Sequence, residues 1–333
     1  MGRAGDLVQL GAAALITRYS RDNEREADAL GIKYMTRAGY DPRGLSRFMK
    51  VLDRLSEDSQ GAMPAWLSTH PDPGERSETT ARLAEPLVSE ARAAGRSLAT
   101  GEDALFAHVD GLVFADDPRH GFSRGRTFHH PELGFRFDAP EGWTIANSQQ
   151  AVFAFDDPEK TTGLLQLTLV SGEAAALPPD AIAEKVRAQQ GVLKLDGTKQ
   201  DWNGLPAWFG LAQLADANGQ STTLYAGWVA HQKQVFQLLG RWSPERADAI
   251  RPLLERAMRS FRRETDKEVL GVKPIVIRLE TLAAGKAIES VCARKDVAAS
   301  CETVAVINQM DVRTPTNETR RIKVPTRQSP LFP

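Results

Sequence analysis

The chain has 333 residues, 41% hydrophobic and 26% charged, with a formal net charge of -1. That length predicts two or three domains, and the composition is that of an ordinary soluble globular chain. The near-zero charge removes the usual electrostatic reason to expect nucleic acid or an anionic membrane as a partner.

The first apolar run, Leu7–Ile16, is too short to span a bilayer. It reads as a buried helix and not as a signal-peptide core. Asp6 interrupts the basic start, and no small-x-small cleavage site precedes the charged Arg18–Glu26. Residues 1–95 read as helical. Glu24–Ala38 is one helix, closed by Gly39. A second starts at Asp41-Pro42, an N-cap followed by a proline at the first helical position. It carries Leu45, Phe48, Met49, Leu52 and Leu55 at the spacing of one buried face. After a loop with Gly61 and Pro64, Asp72-Pro73 repeats the cap-plus-proline start, and Pro86 is expected to divide the helical stretch that follows.

Residues 96–127 are rich in Gly and Asp and read as a partly ordered connector. From 128 the apolar period becomes 2, with Leu133, Phe135 and Phe137 ahead of a turn at Pro140-Glu-Gly142. Strand-like runs follow at Ala151–Phe155, Leu164–Val170, Leu205–Leu211, Thr222–Ala230 and Val235–Gly240, with helical stretches near 180–190 and 244–263. Residues 128–265 are therefore expected to form an α+β domain with an antiparallel sheet. Residues 266–333 read as a small β-α-α-β domain: a strand at Pro274–Leu279, helices at Ala283–Ala293 and Ala298–Asn308, and a returning strand at Arg321–Pro325. The two cysteines, Cys292 and Cys301, either close a short loop in an oxidising compartment or remain buried thiols. Two cysteines alone make neither a zinc site nor a redox motif. Trp143, Trp202, Trp208, Trp228 and Trp242 lie at or near predicted strands and read as core or turn residues.

Chemistry concentrates in the first helix. Spacings of four, three and four place Glu24, Asp28, Gly31 and Met35 on one face. Gly31 and Met35 belong to a packing face, and buried carboxylates there need a cation or a metal. Zinc accepts a carboxylate oxygen beside histidines, and a further carboxylate can orient a ligating histidine. Equally, Glu24 and Asp28 could pair with Arg21 or Arg25 at the surface.

Ser20-Arg-Asp-Asn-Glu-Arg-Glu-Ala-Asp28, then Ala38-Gly-Tyr-Asp-Pro42, then Ser68-Thr-His-Pro71 with Arg76 shortly after, resembles metallopeptidase family 48. That group contains CAAX prenyl proteases, HtpX-type proteases and periplasmic quality-control proteases. The resemblance covers residues 16–83. It implies that Glu24 is the third zinc ligand and that Asp28 supports a zinc histidine. It implies that His70 lies near the metal as a gating group or extra ligand, and that Arg76 supports the site. The family's His-Glu-x-x-His is not in this sequence: the six histidines, at 70, 108, 120, 129, 130 and 231, include no i, i+4 pair. Without that motif there is no glutamate to activate a zinc-bound water. His129-His130 offers an alternative ligand pair, or simply opens the first strand of the sheet domain.

More weakly, the sheet domain resembles PsbP- or Mog1-like folds. Leu282-Ala-x-Gly285, Val306-Ile-Asn308 and Arg321-Ile-Lys-Val-Pro325 resemble a LysM module, which implies peptidoglycan as a partner. Two functional expectations follow. In one, the chain is the C-terminal portion of a truncated zinc metalloendopeptidase of the bacterial periplasm or cell envelope. Its substrates are unfolded or misassembled envelope proteins, and it is inactive and short of zinc as given. An in-frame upstream stretch of roughly 100–150 residues, with a signal peptide and His-Glu-x-x-His, is then expected. In the other, it is a non-catalytic cell-wall-binding or chaperone-like protein. Helices lacking their cover would expose an apolar patch and favour an oligomer.

Overall fold

The computed structural model describes residues 21–58, 73–157, 162–215 and 220–328. Leu7–Ile16, the Gly61–Pro64 loop and His70 lie outside the described residues. Two compact units emerge. One comprises Asp117–Lys273. The other joins the described residues up to Asp116 with those from Pro274 onward.

The second unit opens with three helices, α1 (Arg21–Arg37), α2 (Arg43–Asp58) and α3 (Pro73–Ala93). Gly39, at φ 85°, ends the first α-helical run in the left-handed region that favours glycine. Asp41 starts the second: its carboxylate accepts from the Arg43 backbone N–H at 3.0 Å and is gripped by the Arg43 guanidinium. Those bonds hold the Asp41 carboxyl below its usual range against the opposing effect of burial. α2 and α3 meet through small residues. Ser46 Oγ donates to the Ser77 carbonyl at 2.9 Å, and Ser77 Oγ returns a bond to the Ser46 carbonyl at 3.2 Å. The expected break at Pro86 does not occur, since α3 runs through it as one helix. Proline removes one helical hydrogen bond, and packing against α1 and α2 carries the helix past that loss.

Part of the expected connector is ordered structure. α4 (Glu102–Val109) places Phe106 and Val109 in buried positions. Residues 111–114 then run beside β12 (Ile275–Leu282). Gly111 N donates to Ile277 O, Ile277 N to Leu112 O and Phe114 N to Ile275 O, each at 2.8 Å. β12 pairs antiparallel with β13 (Arg320–Arg327) along its whole length. Between these strands lie two short helices, at Glu289–Cys292 and Cys301–Ile307. Cys292 and Cys301 are joined in a disulfide, with Cα atoms 5.3 Å apart. The β-α-α-β tail has its own core of Leu282, Ile288, Val304, Ala305, Ile322 and Val324. It is also tied to the helices of its unit, because Arg54 Nη1 donates to the Met310 carbonyl at 3.1 Å.

The other unit is built on a seven-stranded antiparallel sheet, order β4-β5-β6-β10-β9-β8-β7. Its strands are β4 (Thr144–Asn147), β5 (Ala151–Phe155), β6 (Gly163–Leu169), β7 (Val192–Trp202), β8 (Leu205–Ala215), β9 (Ser221–His231) and β10 (Gln234–Trp242). Both faces are covered. Helix Ala247–Arg259 and a small sheet of β1 (Phe122–Arg124), β2 (Thr127–His130), β3 (Phe135–Asp138) and β11 (Arg262–Arg263) lie over one face, with Phe128, Phe135, Leu254 and Met258 in that core. Helix Pro179–Arg187 covers the other, with Ile182, Trp208 and Trp228. The α and antiparallel-sheet architecture expected from the pattern is thus present. His129 and His130 lie in β2, so the small sheet's first strand is β1 and not the histidine pair.

Candidate functional site

Along α1 the buried positions are Glu24, Asp28, Ile32 and Thr36, a stripe repeating every four residues. This is the helix face turned toward α2 and α3. A Cβ built on Gly31 would lie 3.9 Å from Leu45, and one on Gly44 would lie 3.2 Å from the Met35 methyl. The two carboxylates therefore share a packing face, as their spacing requires. Glu24 is 9% exposed and Asp28 6%.

Their cation comes from α3. The Arg76 guanidinium lies between the two carboxylates. Nε donates to Asp28 Oδ2 at 2.9 Å and Nη2 to Asp28 Oδ1 at 2.7 Å, a two-pronged pairing. The remaining nitrogen, Nη1, reaches Glu24 Oε2 at 2.9 Å. The Asp28 hydrogen bonds raise the Arg76 pKa above its ordinary value, against burial. The neighbouring Arg25 does not serve Glu24 or Asp28 in these bonds. It pairs outward with Glu75 at 3.1 Å, where both side chains are half exposed. In these contacts the partner of the two carboxylates comes from α3, 48 residues from Asp28.

The described residues do not fit a zinc ion at Glu24. One Glu24 oxygen and both Asp28 oxygens already meet a guanidinium. Among the described residues no group of three or more His, Cys, Asp or Glu side chains has the arrangement to hold a metal.

The histidines of the sheet unit are used in other ways. His129 Nδ1 lies 2.5 Å from Glu264 Oε2, and the Glu264 side chain is fully buried. The other Glu264 oxygen accepts from the Thr265 and Asp266 backbone N–H groups. His130 Nδ1 accepts from the Leu133 N–H at 3.2 Å, and His231 Nε2 bonds the Gly134 carbonyl at 2.8 Å. Each of these three rings thus anchors backbone or a buried carboxylate. The His129–Glu264 pair spans 135 residues, and no local motif announces it.

Comparison with known proteins assigns this region. Residues 4–83 match the model of peptidase family M48. The beta-barrel assembly-enhancing protease of Yersinia pestis is 31% identical over 120 residues, which is 35% of this chain and 22% of that protein. The mitochondrial metalloendopeptidase OMA1 of Bos taurus is 40% identical over 67 residues, which is 20% of this chain and 13% of that protein. The chain thus spans less than a quarter of these relatives' length. Among solved structures, cyanobacterial PsbP from Synechocystis is matched at 13% identity and a TM-score of 0.33, covering 42% of this chain and 94% of that one. No helix among the described residues is long and apolar enough to cross a membrane. Residues 4–83, which contain Glu24, Asp28 and Arg76, therefore match peptidase family M48, and the sheet unit and the tail lie outside that match.

Proposed function

We propose that this chain is part of a zinc metalloendopeptidase of the bacterial periplasm or cell envelope that acts on unfolded or misassembled envelope proteins. The observation that carries this reading is the buried Glu24–Asp28–Arg76 network in a segment matching the peptidase family. In this reading Glu24 is the zinc-ligand carboxylate, Asp28 orients a histidine of the His-Glu-x-x-His motif, Arg76 supports both, and His70 gates the metal. That motif is not in this sequence, so the chain alone is inactive. The likeness to a protease named for β-barrel assembly supports envelope proteins as the substrate class.

A chimera tests this. The chain alone, with added zinc, is expected to leave unfolded casein intact. Fused to the His-Glu-x-x-His segment of the Yersinia relative, it is expected to cleave casein, with activity lost to a chelator and to Glu24→Gln. Cleavage by the chain alone that survives Glu24→Gln would sink the reading.

An open depression on the tail leaves room for a second reading, a cell-wall-binding role through a LysM-like module. Its volume is about 470 Å³, and Asp311, Thr316, Asn317 and Glu318 are among its lining residues. Polar side chains around such a volume suit a hydroxyl-rich ligand such as peptidoglycan.

A further inference from the structure

We infer that Arg76 is the resident cation of this site: its guanidinium supplies the charge that holds α1 to α3 in place of a metal, and a divalent ion at Glu24 competes with it for that carboxylate. Three observations converge. All three side chains are largely removed from water, at 16% exposure for Arg76, 11% for Glu24 and 7% for Asp28. The guanidinium spends its three nitrogens on the two carboxylates, at 2.7 to 2.9 Å. The carboxylates come from α1 and the guanidinium from α3, so the network is an interhelical tie and not a local pair. A buried carboxylate without a cation is costly, so this tie stabilises the packing of the two helices. A fork of fixed geometry suits the task better than a point charge, because it reaches both carboxylates at once. Arg76 holds this role wherever no histidines from another segment reach the two carboxylates, so the assignment stands apart from the peptidase reading.

Hydrogen exchange of the full chain, read by mass spectrometry on peptides from α1 and α3, separates the alternatives. In the wild type, exchange in α1 is expected to be unchanged by chelator and by zinc up to millimolar concentration. Arg76→Met is expected to speed α1 exchange at least roughly tenfold, with sheet-unit peptides unaffected. Zinc should then slow α1 exchange in that variant, because it returns a cation to the two carboxylates. In the triple variant R76M/E24Q/D28N the zinc response should vanish, and exchange should be slower than in R76M, since no buried charge is left unpaired. If Arg76→Met unfolds the helices outright, Arg76→Lys keeps the charge without the fork and should exchange at an intermediate rate. Chelator-induced opening of wild-type α1, or an Arg76→Met variant exchanging as slowly as the wild type, would overturn the assignment.

Discussion

Replacing Glu264 by alanine removes the acceptor on which one corner of the sheet unit depends. The carboxylate takes the His129 ring at 2.5 Å and the Thr265 and Asp266 backbone N–H groups at 2.8 and 2.9 Å, and it stands 3.7 Å from the Arg136 guanidinium. Truncation leaves the buried His129 ring without its partner and two part-buried backbone N–H groups unpaired, and breaking a buried pair in this way costs about 3–5 kcal/mol. For a unit of the size of Asp117–Lys273, each kcal/mol lowers Tm by about 2–4 °C, so a fall of roughly 6–20 °C is expected. Glu264→Gln keeps an oxygen for the backbone donors and loses only the charge, so its cost should be nearer ~2 kcal/mol. Tryptophan fluorescence is the assay, because Trp143, Trp202, Trp208, Trp228 and Trp242 all lie in this unit. The pH dependence has a definite sign. Burial pushes the Glu264 carboxyl up, but the bonds from His129 and the two backbone N–H groups outweigh it and hold the pKa below its ordinary 4.5. The unfolded chain therefore binds the proton first, and the stability contributed by this group is complete above that ordinary value. It is lost as pH falls through the lowered folded value. The gap between wild type and Glu264→Gln should be constant from neutral pH to about 4.5 and close below it. A Glu264→Ala Tm within ~2 °C of wild type, or a gap as wide at pH 3 as at pH 7, would refute the reasoning.

Two further perturbations have signed outcomes. Burial, with the charge of His120 adding to it, depresses His130 from 6.5 to about 4. The sheet unit should therefore lose stability as pH falls from 6.5 toward 4, by up to ~3 kcal/mol, and His130→Phe should flatten the urea midpoint over that interval. Reduction of the Cys292–Cys301 disulfide, or the double alanine variant, reopens a loop with a sequence separation of nine. The chain-entropy model puts its loss at about 2.5 kcal/mol, visible as faster hydrogen exchange in β13, and unchanged exchange under reductant would count against it.

What the sequence disclosed of the fold follows burial. Strand β9 was legible because both its faces are covered. Leu224, Ala226 and Trp228 face one core, while Tyr225 and Val229 face the other, so the run is nearly continuous in apolar residues. Strand β7 was not legible, although it is equally long. It lies at the sheet edge with Lys194, Asp196 and Lys199 turned outward, and only Leu195 and Trp202 fully buried. Its place is set by a partner: a Cβ on Gly197 would fall 2.6 Å from the Gly210 Cα, a close approach that only two facing glycines permit. The same holds for α4, whose Phe106 lies under the Arg321 guanidinium of β13. More than two hundred residues separate them, and composition alone made that stretch a connector.

The site divides in the same way. Two carboxylates four residues apart, on a face shared with Gly31 and Met35, suit either burial or a solvated face, and if buried they require a nearby positive charge. That demand is local and could be read from α1 alone. Its supplier is not local. Arg25 is one residue from Glu24, yet its half-exposed guanidinium reaches Glu75 of α3. Arg76 is distant in sequence, yet the start of α3 at Pro73 brings its guanidinium to the carboxylates. Spacing along α1 therefore does not name the cation, and the choice between an arginine and a metal falls to tertiary packing. Where α3 is seated, the arginine has the advantage, because it arrives already bonded to the fold and needs no ligands beyond the two carboxylates. A metal must bring at least two more ligands to compete. The same two carboxylates can thus serve a structural tie or a metal centre, and which one they serve depends on whether histidines from another segment reach them.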